Sequence, residues 1–146
     1  MICIDASIAA KWVLTEEFSD AALDLANECL DQGRPLIAPP LIQAEVANTL
    51  RQVMIKHAVS LRQVLLLYRG FAMYPISFVA PPRLYEDALQ IAERFGLPAA
   101  YDSQYVALAQ MVGCSLWTAD RRLLNALGNR LPFVRWIGDY NPGDPL

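Results

Sequence analysis

Apolar residues along this chain follow two alternating patterns. Ile2, Cys3 and Ile4 form a short unbroken apolar run, as expected of a strand buried on both faces of a parallel sheet. Further short runs at 35–39, 75–79, 114–118 and 133–137 are framed by proline, glycine or polar residues and also read as strands. Between them the apolar positions recur every three or four residues, which predicts helices. Ser7 is placed to cap a short one over 7–14, and Ser19 a second in which Ala22, Leu25, Ala26 and Cys29 share a face until Gly33 stops it. A longer helix is predicted over 40–56, with Ile42, Val46, Leu50 and Val53 on one side, and Ser60 opens another over 61–72. Residues 82–95, 101–112 and 120–127 complete the set, the first two closed by Gly96 and Gly113. Strands alternating with helices imply an α/β sandwich: a central, mostly parallel sheet flanked by helices.

Composition narrows this picture. A chain of 146 residues, 55% hydrophobic and 18% charged, suits one domain with a full core. Residues 1–140 read as that domain and 141–146 as a short Pro/Gly-containing tail. No run of eighteen apolar residues occurs and no signal-peptide pattern precedes the first strand, so a soluble, cytoplasmic protein that does not enter membranes is expected. The three cysteines, Cys3, Cys29 and Cys114, sit in apolar contexts without CxxC spacing, which argues for core packing over disulfides or a zinc site. The net charge of −3, with ten arginines and two lysines, does not by itself announce nucleic-acid binding, although arginine can grip phosphate from a local patch. His57 falls near a helix end and is expected to face solvent.

Four acids stand where the pattern calls for something else. Asp5 ends the first strand, and in open α/β sheets ligands bind beyond the carboxyl ends of strands. Asp120 follows the run at 115–118 in the same way. Asp102 shares a helical face with Tyr105, Val106, Ala109 and Val112, so an acid lies on an inward stripe. Glu45 sits at the rim of the apolar stripe of its helix. Asp5 and Asp120 can each be explained as helix caps, but four independent exceptions are harder to explain that way. Converging carboxylates repel one another by roughly 3 kcal/mol per pair at about 5 Å and an effective dielectric of 20, so protons or a cation must neutralise them. Oxygen donors without histidine or cysteine select hard ions such as Mg²⁺ or Mn²⁺. Such ions polarise phosphoryl groups and lower the pKa of bound water. Metal-dependent phosphoryl chemistry is as far as this reasoning goes.

The segments Asp5-Ala6-Ser7 with Lys11-Trp12, Ala44 to Asn48, Tyr101 to Ala109 and Thr118 to Leu123, in this order and spacing, resemble the PIN-domain family, and more closely its VapC-type toxins of bacterial toxin–antitoxin pairs. The resemblance covers about residues 1–140. It implies a PIN-like sandwich and an endoribonuclease dependent on Mg²⁺ or Mn²⁺, which hydrolyses RNA phosphodiester bonds through a metal-activated water. The family's acids map onto Asp5, Glu45, Asp102 and Asp120, with Asp5 and Asp102 as metal ligands and the other two acting through water or a second metal. Its hydroxyl positions map onto Ser7 and Thr118. A cognate antitoxin and a homodimer are implied as well, and the helices at 41–56 and 60–72 are the candidate walls of the groove that takes the antitoxin. Lys11, Arg121 and Arg122 are candidates for substrate phosphates, with solvated surface charge as the alternative. Trp12, Tyr101 and Trp117 are candidates for stacking bases, with core packing as the stronger alternative. Ser103 and Gln104 stand where the family often has small apolar residues.

Three rival readings compete. A receiver-like domain needs a lysine near the end of the late strand, and 115–120 has none. A haloacid-dehalogenase-like phosphatase needs an aspartate where Ser7 stands. The remaining alternative is a PIN-like scaffold that binds RNA or protein without cutting it, which retention of all four acids disfavours.

Overall fold

The computed structural model of the protein describes residues 1–144; the end of the tail predicted at 141–146 lies outside the described residues. Chain order runs β1 (Ile2–Ile4), α1 (Ala6–Lys11), α2 (Ser19–Asp31), β2 (Leu36–Ala38), α3 (Leu41–His57), α4 (Leu61–Ala72), β3 (Ile76–Phe78), α5 (Leu84–Phe95), α6 (Asp102–Val112), β4 (Ser115–Thr118), α7 (Arg121–Leu127) and β5 (Val134–Trp136). Short 3-10 turns occupy Gly128–Arg130 and Ile137–Asp139. The sheet has five strands in the order β3-β2-β1-β4-β5, and every pairing is parallel. The mostly parallel sheet expected from the sequence is thus parallel throughout. At least one helix separates each strand from the next and returns the chain to the same end of the sheet.

Strand order places the site. The chain builds outward from β1 through β2 to β3, then crosses back to lay β4 and β5 on the other side of β1. The order therefore reverses between β1 and β4, and a crevice opens beyond their carboxyl ends. β1 and β2 are buried at every residue, as are Leu116, Trp117 and Thr118, whereas the edge strands β3 and β5 are not. Ile2, Ile4 and Leu116, each with no exposed surface, contribute on the order of 2 kcal/mol apiece. β1 is thereby a rigid post for the residue that follows it.

Two predicted caps are corrected. Ser7 does not cap the first helix; Asp5 does, its extended backbone leaving β1 so that its carboxylate accepts the Ile8 N–H at 3.1 Å. The helix consequently starts at Ala6 and ends at Lys11 instead of spanning 7–14. Ser19 is the first residue of α2, and Phe18, in the left-handed region at φ 65°, holds the cap position. The Ser19 hydroxyl instead ties down the preceding loop, accepting from Glu16 N–H and donating to Leu14 C=O. Ser60 caps α4 as expected, in a reciprocal box with Gln63. Cys3 and Cys29 are buried and Cys114 half-buried, all as free thiols, and His57 is exposed in the last turn of α3. Among the described residues no helix is long and apolar enough to cross a membrane.

Candidate active site

β1 and β4 run side by side with Ile4 opposite Trp117, so their ends deliver Asp5 and, two residues past β4, Asp120 to one rim. Asp5 is only 6% exposed. The Ser7 hydroxyl donates to Asp5 Oδ1 at 2.5 Å and accepts the Ala119 N–H at 2.8 Å, which ties the two strand ends together. Thr118, fully buried, accepts the Asp120 N–H at 2.9 Å and also hydrogen-bonds the Asp5 carboxylate. Burial nonetheless pushes the Asp5 pKa up to about 6, against these hydrogen bonds and that of the Ile8 N–H, with the charge of Asp102 adding to the rise.

Glu45 and Asp102 arrive on helices, and Asp120 stands at the cap of one. Glu45 lies in the second turn of α3 and is half-buried; the hydroxyl of Tyr105, on α6, donates to its Oε2 in a short hydrogen bond. Burial raises the Glu45 pKa, the Tyr105 hydrogen bond opposes this, and Asp102 and Asp5 add to it. Asp102 is the first residue of α6, its pKa raised by burial and then by Asp120, with Arg122 opposing. Asp120 caps α7 by accepting the Arg122 N–H at 2.8 Å, and the Arg122 guanidinium folds back to its Oδ2 at 3.3 Å. Asp5 and Asp120 are therefore helix caps and acids of the crevice at once.

All four acids line one cavity of about 700 Å³. Ser7, Lys11 and Arg122 line it too, while Thr118 lies beneath it. Both lining cations are already engaged, Lys11 Nζ with Glu16 Oε1 at 2.9 Å and Arg122 with Asp120. Arg121 faces away into a second cavity, its guanidinium 4.5 Å from the centroid of the Trp136 ring. Of the aromatic candidates, Trp12 is stacked on Tyr74 with its indole N–H on Ala22 C=O, and Trp117 is buried. Tyr101, 60% exposed, stands at the cavity wall. Ser103 is fully buried and Gln104 donates to the Ala100 carbonyl.

Sequence reasoning passed over Tyr105, Glu16, Asn48 and Thr49, all of which line the cavity. Tyr105 was legible, since a phenol on an inward face needs a partner for its hydroxyl, and it lies one helical turn from Asp102. Asn48 likewise follows Glu45 at i+3. Glu16 carried no such signal, because it sits in a loop whose path only the packing of α1 and α2 sets.

The donor chemistry fits a hard divalent cation. Every candidate donor is a carboxylate or hydroxyl oxygen, and Asp5 is a buried carboxylate with no cation paired to it among the described residues. Among the described residues no three acidic, cysteine or histidine side chains stand together as a ready-made metal cage.

Residues 2–128 match the PIN domain family. Ribonuclease VapC9 of Mycobacterium tuberculosis is 32% identical over 134 residues, covering 84% of this chain and 88% of that protein. The VapC ribonuclease Mb0985 of Mycobacterium bovis matches to the same extent. Ribonuclease VapC12 of Mycobacterium tuberculosis is 28% identical over 129 residues, covering 88% of this chain and 94% of that protein.

Proposed function

Since this chain belongs to the PIN domain family, we propose that it is a divalent-metal-dependent endoribonuclease acting as the toxin of a toxin–antitoxin pair. The observation that carries this reading is the meeting of Asp5, Glu45, Asp102 and Asp120, from four separate segments, in one cavity at the point where strand order reverses. The similarity to proteins named as ribonucleases supports the substrate class. In this reading Asp5 and Asp102 hold Mg²⁺ or Mn²⁺. A bound ion of that kind polarises the phosphoryl group and acidifies water. Ser7, Thr118 and the Ile8 N–H fix the Asp5 carboxylate so that it does not rotate away. Glu45, oriented by Tyr105 and with a pKa raised above the ordinary carboxylate value by burial, takes the proton of the attacking water. The water oxygen bonds to phosphorus, the bond from phosphorus to the leaving oxygen breaks, and that oxygen takes up a proton from solvent in the open cavity. Asp120 completes the acid wall. Lys11 and Arg122 exchange their carboxylate partners for substrate phosphates.

The antitoxin in this reading lies against α3 and α4, where Leu65 and Leu66 are 46% and 57% exposed, an unusual outlay of apolar surface. The protein works as a single domain over 1–140, as a homodimer, in the cytoplasm. A PIN-like scaffold that binds without cutting is the rival reading, and it predicts no cleavage with any divalent ion.

Incubating the protein with a pool of total tRNA and rRNA in Mn²⁺ and mapping the cut ends decides between them. Discrete cuts are expected, abolished by EDTA and by Asp5→Asn. Full cleavage in excess EDTA, or by Asp5→Asn, would overturn the metal site, and an uncut pool would overturn the ribonuclease reading. Copurification with the small protein encoded beside it tests the pairing.

A further inference from the structure

The fold buries or half-buries every aromatic side chain except Phe78, Tyr85 and Tyr101, as expected where apolar area drives folding. Of these three, only Tyr101 lines the acid cavity. The other aromatic residue of that lining, Tyr105, is 1% exposed and commits its hydroxyl to Glu45. Tyr101 is 60% exposed, and its side chain has no hydrogen bond, ion pair or ring contact among the described residues. Its backbone, by contrast, is held. The Tyr101 carbonyl accepts the Gln104 N–H at 3.0 Å, and the Gln104 side chain donates to the Ala100 carbonyl at 3.1 Å. These two bonds fix the entry to α6, whose first residue is Asp102, while the phenol makes no capping bond to the helix it precedes. A free ring on a fixed backbone therefore stands one residue from a site acid.

A ring exposed there offers a flat apolar face at the place where the acids would receive a substrate. In the ribonuclease reading, on which this inference rests, each nucleotide of the substrate brings a flat face of its own. We propose that Tyr101 is the base platform of the site, its ring stacking on the base of a nucleotide next to the phosphate at the acids. Trp12 and Trp117 do not share this role, since one is stacked on Tyr74, the other is buried, and neither lines the cavity. Stacking needs no hydrogen-bond match, so the platform accepts any base, but it does need a base that is not already stacked within a duplex. The substrate class is thereby narrowed to single strands and unpaired loops. Stacking also supplies attraction that does not depend on charge. That matters on a chain of net charge −3 whose cavity cations, Lys11 and Arg122, already hold carboxylate partners.

Two fluorescein-labelled single strands of equal length separate base contacts from phosphate contacts: an RNA of mixed sequence, and the same ribose-phosphate chain without bases. Titration in EDTA at low salt, followed by anisotropy, reads binding apart from cleavage. The wild type should prefer the base-bearing strand. Tyr101→Ala should bind that strand about tenfold more weakly, within the range for one stacked base, and should bind the abasic strand as the wild type does, which also shows the variant to be folded. Tyr101→Phe keeps the ring and should match the wild type on both. Tyr85→Ala removes an equally exposed tyrosine outside the cavity and should change neither. With Mn²⁺, Tyr101→Ala should raise KM with kcat little altered. The platform is overturned by a wild type without base preference, by a Tyr101→Ala variant that binds both strands normally or loses both equally, or by a defect that Tyr101→Phe shares. Normal RNA binding by Tyr101→Ala together with lost copurification of the small protein encoded beside it would assign the ring to that partner instead. Base-dependent binding through Tyr101 with no cleavage in Mn²⁺ removes the ribonuclease reading alone. Cleavage without base-dependent binding removes the platform alone.

Discussion

With its carboxylate buried behind β1, Asp5 gives up hydration that three hydrogen bonds only partly replace, and its pKa stands at about 6 instead of the ordinary 3.8. That rise corresponds to about 3 kcal/mol. A folded chain that holds a proton the unfolded chain has released is stabilised by it, so this contribution is fully present below about pH 4 and is lost as pH rises through about 6. In EDTA the wild type should therefore melt lower at pH 7.5 than at pH 5. Asp5→Asn should reduce that dependence, without abolishing it, because Glu45 and Asp102 are raised too. A melting profile of Asp5→Asn as steep as the wild type's would locate the effect in other groups. Tyr105→Phe removes the hydroxyl that orients Glu45 and should cost about 1–2 kcal/mol. Its cleavage should fall by less than that of Glu45→Gln, which loses a positioned acid–base group worth about 10²-fold or more. Single-turnover rates of the two variants side by side check this order.

Caps explain how two acids of the site are positioned by short-range forces. Asp120 holds the start of α7 and Asp5 the start of α1, so each helix fixes the rotamer of its own cap, and the crevice receives the other carboxylate oxygen. Asparagine caps about as well as aspartate, whereas alanine costs about 1 kcal/mol. Asp120→Asn should then keep the wild-type melting temperature and Asp120→Ala lose it by that amount, with cleavage impaired in both. Equal cleavage in Asp120→Asn and the wild type would reduce Asp120 to a cap. Ser60→Ala, at a box far along the chain from the acids, should cost a similar amount of stability and leave cleavage alone.

For the molecule as a whole, the switch in strand order between β1 and β4 turns separate local features into one site. A cation that binds only the folded chain stabilises it by about 2.7 kcal/mol at a hundred times its Kd. Mn²⁺ should accordingly raise the melting temperature of the wild type at pH 7.5 and move that of Asp5→Asn far less. The same shift in both proteins, read by scanning calorimetry, would place the bound ion away from Asp5.

Much of this was legible in the sequence because it rests on short-range rules. The unbroken run Ile2-Cys3-Ile4 reads as a strand buried on both faces, and the three-and-four spacing of Ala88, Ile91, Ala92 and Phe95 commits a helix to one packed side. Every strand and helix was found within a few residues, and the order of acid-bearing segments carried the family resemblance. Where the sequence misled, two local rules competed: Asp5 and Ser7 are both good caps, and the exit angle of β1 selected the aspartate. Arg121 and Arg122 are neighbours with the same chemistry in sequence, yet the start of α7 sends one to each side. The engagement of Lys11 by Glu16, the hydroxyl of Tyr105 on Glu45 across sixty residues and the cavity under Trp136 depend on which elements meet. Residue order sets what each segment can become, but only the packing of the crossovers on one parallel sheet decides which side chains come within hydrogen-bonding distance.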